Sequence, residues 1–267
     1  MPRNQGIFMN SVRGWAGAVA VGVAVMLGSV GGLGLLWPAA AAAQFGVPRG
    51  FRLPGADWQM MPLVGWGKMG ETELARFNEA LPSNQRAVVG YTREQGSMLA
   101  LVNQTPPLPA DLTLATLTSP EFAEGFKRGI VNSFEPSAVL EVDTPVVDPA
   151  KMYATASLML TQGGARVAVK VRAFYGRQHT VTVVVSGLAG MTEQARSEVD
   201  AVLDAFAFDP GATFVPAPEG RGQGTGGGGG GHPRGSAYAI GESVGRAIAG
   251  CLGLAALLVV ARKFKRS

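Results

Sequence analysis

The chain has 267 residues, 47% hydrophobic and 16% charged, with one cysteine, two histidines and a formal net charge of +4. That apolar content excludes a disordered solvating chain, one cysteine excludes a disulfide scaffold, and one cysteine with two histidines excludes a zinc ribbon. Residues 44–217 carry 14 Lys+Arg against 17 Asp+Glu, a net of −3; the flanks hold the other 9 basic and 2 acidic residues, a net of +7. Nucleic acid is excluded as a partner, because its recognition needs a basic stripe on the folded part.

At the amino terminus Arg3 and Arg13 precede the uncharged run Trp15 to Leu36, 22 residues long, which Trp37-Pro38 ends before Ala39 to Ala43. A basic start, an apolar stretch and small residues at −3 and −1 describe a signal peptide over residues 1–43, cut after Ala43. The run is also long enough to stay as an uncleaved anchor. Either way residues 44–217 are expected outside the cytoplasm, held at the cell (inner) membrane.

Within 44–217, a helix is expected near Glu71 to Ala80, with Leu74 and Phe77 inward. A hairpin of Arg86 to Arg93 and Met98 to Asn103 turns at Gln95-Gly96. Asn103-Gln104-Thr105 also satisfies the glycosylation sequon. Ser119-Pro120-Glu121 has the form of a helix start, a capping Ser before Pro and an acid, and Phe122, Phe126, Ile130 and Phe134 follow at fours. Met152 to Thr161 supplies a strand. Ala165 to Tyr175 and His179 to Ser186 form a hairpin around Gly176-Arg177-Gln178. The favoured register pairs Ala173 with Val181, Val171 with Val183 and Val169 with Val185, which gathers the large aliphatics on one face. Thr192-Glu193 opens a last helix with Val199, Val202, Leu203 and Phe206 inward, and with Asp200 and Asp204 on the opposite, solvated side. Short hairpin loops exclude parallel crossovers, so the class is α+β: an antiparallel β-sheet packed with helices.

The helix start Ser119-Pro120-Glu121-Phe122, the hairpin Phe174-Tyr175-Gly176-Arg177 and the closing helix ending Ala205-Phe206-Ala207-Phe208 resemble the PsbP-like fold family of periplasmic DcrB-like and PsbP-like accessory domains. The resemblance covers roughly Leu63 to Asp209. It implies a sandwich serving as a non-enzymatic accessory or binding module, and it carries over no functional residues.

Residues 218–236 form a linker, with ten glycines between Pro218 and Gly235; such a composition makes a flexible coil. The segment 237–261 is expected as a single transmembrane helix: Ala247 to Ala261 is uncharged, and Arg246 reaches the outer interface. The basic tail 262–267 is then cytoplasmic. Ala237, Gly241, Gly245, Ala249 and Gly253 recur at fours and give a helix-packing face for self-association or for a partner helix. Glycine tract, apolar helix and basic tail together also resemble carboxy-terminal sorting signals of the GlyGly type. Cys251 reads as a small residue buried in lipid.

No HExxH, CxxC, GxSxG or phosphate-loop pattern occurs, and no cofactor or metal is expected. His179 stands alone in the domain, at a hairpin mouth. Lys170 and Arg172, on one strand face, are the candidate ligand-binding pair for an anionic surface, unless they serve carboxylates on a covering helix. Trp58 and Trp66 could edge that surface or pack under a loop. The expected function is a membrane-tethered extracytoplasmic binding or assembly module without catalysis, with an envelope protein and the bilayer as partners. The alternatives are an accessory subunit of a larger membrane complex and an enzyme of unrecognised type.

Overall fold

The computed structural model describes residues 50–79, 81, 86–93, 98–134, 139–162, 165–189, 193–219, 237–249 and 252. The chain divides into Met1–Val47 and Pro48–Ser267. The signal segment, linker residues 220–236, the basic tail, Cys251 and Gly253 lie outside the described residues.

In chain order the elements are β1 (Trp58–Met60), β2 (Trp66–Lys68), α1 (Glu71–Glu79), β3 (Ala87–Arg93), β4 (Met98–Thr105), α2 (Leu114–Leu117), α3 (Pro120–Val131), β5 (Val139–Val142), β6 (Val146–Asp148), β7 (Tyr153–Gln162), β8 (Ala165–Tyr175), β9 (Thr180–Leu188), α4 (Glu193–Asp204), β10 (Phe206–Phe208) and a helix α5 at residues 237–249. Eight strands make one antiparallel sheet in the order β2-β3-β4-β9-β8-β7-β5, with β6 also on β7; β1 and β10 pair separately. This is a mixed α+β architecture, as the alternation of hairpins and helices predicts.

Local signals decide α3. The Ser119 hydroxyl accepts the Phe122 N–H at 3.1 Å, Pro120 fills the first helical position, and Phe122, Phe126 and Ile130 are fully buried. Phe134 lies past the helix end, half-buried against the same core. Phe206, expected as the last inward residue of α4, belongs instead to β10, because the helix ends at Asp204; it is buried all the same.

The sheet is covered on both faces. One face meets α3, α5 and Phe77 of α1 through Leu99, Leu101, Val167, Val169, Val171 and Val184. The other meets α4 and the β1–β10 pair through Ala100, Val102, Val181, Val183 and Val185. The β8–β9 register therefore differs from the expected one. Ala173 pairs with Thr182, Val171 with Val184 and Val169 with Ser186, which puts Arg172 opposite Val183. The loop is Gly176 to His179, closed by Gly176 N–H donating to the His179 carbonyl at 2.9 Å. The physical reason is the second layer: α4 buries the face assumed to be wet, so valines are needed there and the aliphatic residues do not have to share one side.

Helix α5 lies on α3. A Cβ on Gly125 would run into the Tyr238 carbonyl oxygen, and one on Gly129 into that of Glu242; reciprocally, Gly241 meets the Phe122 carbonyl and Gly245 that of Phe126. The contacts advance together along both helices, so the two run parallel. Ile248 and Leu252 enter the core of the α3 side, and Ile240 and Val244 pack against it. Among the described residues no helix is long and apolar enough to cross a membrane.

Candidate functional site

Lys170 and Arg172 lie on the face of β8 covered by α4, and each meets a carboxylate there. Lys170 Nζ is 2.5 Å from Asp200 Oδ1, and Arg172 Nη1 is 2.6 Å from Asp204 Oδ1. Two residues along a strand rise about 6.6 Å and four along a helix about 6 Å, so i,i+2 cations match i,i+4 anions as two rungs of a ladder. A third pair pins the same helix to β3: Arg93 forks onto Glu198 through Nε at 2.9 Å and Nη2 at 3.1 Å. The hydrogen bond from Arg93 is the main reason that the Glu198 carboxyl is held below its ordinary range. Asp200 and Asp204, expected as solvated charge, thus hold α4 to the sheet.

The two rungs differ in surroundings. Arg172 is only 8% exposed; Nε donates to Thr155 Oγ1 at 3.2 Å, and its guanidinium carbon lies 4.3 Å from the Tyr153 ring centre. A cation on a ring face is held by the ring's quadrupole. Beside it opens a cleft of about 240 Å³ between β7, β8, the end of α4 and β10, walled by Tyr153, Phe174, Phe206 and Phe208, with Lys151 and Asp204 also in its lining. The aromatic wall is continuous: Phe174 and Phe206 are 4.2 Å apart, Phe206 and Phe208 5.1 Å, and Tyr153 and Phe174 5.6 Å between ring centres.

Two local devices shape this cleft. Asp148 Oδ1 accepts the N–H groups of Ala150 and Lys151, each at 3.0 Å, and the Lys151 bond chiefly lowers the Asp148 pKa. Met152 follows with φ of 52°, a left-handed conformation rare outside glycine. That turn buries Met152 in the core while its neighbour Lys151 stays exposed at the cleft. On the other side a Cβ on Gly176 would sit 2.6 Å from the Phe208 ring, so only glycine lets β10 approach. The cleft therefore offers flat apolar contacts, an exposed ammonium and a buried guanidinium: a surface that suits an aromatic or aliphatic group carrying a negative charge.

Trp58 is fully buried, and its Nε1 donates to Gln104 Oε1 at 3.1 Å; Trp66 is half-buried in β2. Both belong to the layer around β1 and α4. His179 lies in the β8–β9 loop. Asn103 of the sequon is 1% exposed in a central strand, out of reach of a modifying enzyme in the folded protein. Gly241, Gly245 and Ala249 face inward, and the two glycines rest on α3 of their own chain.

Sequence reasoning missed a buried polar row. Asn103 pairs with Thr182, and Thr180 with Tyr175, on the core face of β4, β9 and β8. The Asn103 amide, the Tyr175 hydroxyl and the Thr180 and Thr182 hydroxyls have no hydrogen-bond partner among the described residues. Threonine in an alternating strand reads as an exposed face, which hid the row. Among the described residues no group of three His, Cys, Asp or Glu side chains could hold a metal ion.

No family model matches the chain, and no curated protein matches it. Among solved structures the chain is similar to cyanobacterial PsbP (CyanoP) from Synechocystis, at 13% identity and a TM-score of 0.46, covering 64% of this chain and 99% of that one. It is similar also to a mutant of the protein Mog1, at 12% identity and a TM-score of 0.34 over 60% of this chain and 94% of that one. The immunity protein TplEi from Pseudomonas aeruginosa matches 46% of this chain and 43% of its own, at 14% identity and a TM-score of 0.32. The resemblance to the PsbP-like fold is thus weak and one of architecture.

Proposed function

We propose that the chain is a membrane-associated extracytoplasmic binding module without catalytic activity, and that the cleft beside Arg172 receives a partner in the cell envelope. The observation that carries this is the continuous wall of Tyr153, Phe174, Phe206 and Phe208 with Lys151 alongside. Phe174 and Phe206 are themselves buried and back the half-buried rings of Tyr153 and Phe208; aromatic rings beside a cation are what interfaces use as anchors. The expected anion contact shifts accordingly. Lys170 and Arg172 are engaged by α4, which leaves Lys151 as the cation that an incoming carboxylate meets first. The signal segment, the apolar carboxy-terminal segment and the basic tail support placement at the membrane.

A photocrosslinking residue placed at Thr213, in the lining of the cleft, in the full chain in cells tests the cleft with Lys151 intact. A discrete adduct is expected, lost when exposed Ala207 of β10 is changed to Glu, while the melting temperature holds. Equal adducts from a probe at Val139, exposed beside Thr161 at the opposite end of β7 from Tyr153, would overturn the assignment. For topology, alkaline phosphatase fused after Thr213 is expected to be active; activity only from a cytoplasmic reporter there would reverse the placement.

A further inference from the structure

We propose that the glycine face of α3 is an exchangeable docking surface: it holds α5 in one state and is vacated when residues 237–261 enter a lipid bilayer. This builds on the membrane association proposed above. The contact is backbone on backbone. Gly125 and Gly129 face the Tyr238 and Glu242 carbonyls, and Gly241 and Gly245 face those of Phe122 and Phe126. Each glycine thereby aims a Cα–H at a carbonyl oxygen, a set of contacts individually weak and free of side chains to repack. The same helix turns Ile240, Val244, Ile248 and Leu252 toward the core.

Length makes the two states exclusive. With Leu252 fully buried in the domain, nine uncharged residues remain from Gly253 to Ala261 before Arg262. As a helix those rise about 13 Å, against the ~30 Å of a bilayer core. The whole segment 237–261, 25 residues, reaches about 37 Å. A chain that spans must therefore pull α5 off α3, and a chain that docks cannot span. Arg246 Nη2 lies 2.5 Å from Glu242 Oε1 within α5 itself. That pair travels with the helix and lowers the cost of carrying two charges to the interface.

Spin labels at Glu124→Cys and Ser243→Cys, in the full chain with Cys251→Ser, report docking; a third at Ala256→Cys in a separate sample reports lipid contact. Without lipid, one short label–label distance is expected. Adding vesicles of phosphatidylglycerol and phosphatidylcholine should cut that population at least fivefold and bring Ala256→Cys into contact with lipid-soluble relaxants. Gly125→Ala with Gly129→Ala, which favours helix in α3, should cut the short-distance population similarly with no lipid present. A short distance that persists in vesicles while Ala256→Cys reaches lipid overturns the exchange and leaves membrane association standing. A label at 256 that stays in water removes carboxy-terminal membrane insertion, and the exchange with it. No short distance before lipid is added overturns docking itself.

Discussion

At Arg172 and Asp204 the ion pair is asymmetric: the cation's side chain is 10% exposed and the carboxylate's 65%. Removing Asp204 leaves a buried charge with Thr155 and two rings for company, whereas removing Arg172 leaves a carboxylate that water can serve. In urea unfolding, Asp204→Ala is expected to cost more than Arg172→Met, the latter about 1–2 kcal/mol; the reverse order would show that Arg172 acts mainly through packing. Acid behaviour follows from Glu198. Its folded pKa lies below the unfolded value of about 4.3, so the stabilisation is full above that value and is lost as pH falls through the folded pKa. Glu198→Gln should flatten the acid limb of a stability–pH curve. The alkaline limb has the opposite origin. Burial pushes the Tyr91 phenol up to about 12, the unfolded chain ionises near pH 10, and stability falls above that; Tyr91→Phe should delay the fall. Of these residues the sequence revealed Lys170, Arg172, Asp200 and Asp204, and it offered carboxylates on a covering helix as partners for the two cations, but it did not show which carboxylate meets which cation. Their match needs the rise of a strand set against the rise of a helix, and a chain read alone does not place the two side by side.

Among the elements, α3 was legible because its cap, its proline and its aromatic stripe all lie within about three turns of each other. Ser119→Ala is expected to cost about 1 kcal/mol, and Phe126→Ala about 3–5 kcal/mol, both read from denaturant midpoints. The β8–β9 register was not legible. Alternation reports which residues share a face only where one face is wet, and Val181 to Val185 are buried on both. The short strands β1, β2, β5, β6 and β10 escaped for a related reason: three or four residues hold too few alternations to stand out. The small-residue period of α5 was visible, whereas its counterpart, Gly125 and Gly129, passed as gaps in an apolar stripe.

For the whole molecule, the boundary drawn at Ala217 cuts through a shared core. Ile248 and Leu252 lie in the same cluster as Phe122, Phe126 and Leu160. Read from the sequence alone, Gln44 to Thr213 is soluble and cooperative without its flanks. The structure leads instead to a lower melting temperature for residues 44–217 than for 44–252, by several degrees or more, with recovery when a peptide of residues 237–252 is added. Identical melting of the two fragments would show that α5 contributes little to the fold.

The pairing of β1 with β10 brings together Trp58 and Phe208, 150 positions apart in the chain. A ribosome delivers Trp58 long before its neighbour Phe206 exists, and loop closure across that span is slow compared with the hairpins between. During synthesis, therefore, the indole that ends fully covered stays open to water or to a chaperone until nearly the entire domain has emerged. Its fluorescence is a natural timer of the last step of assembly.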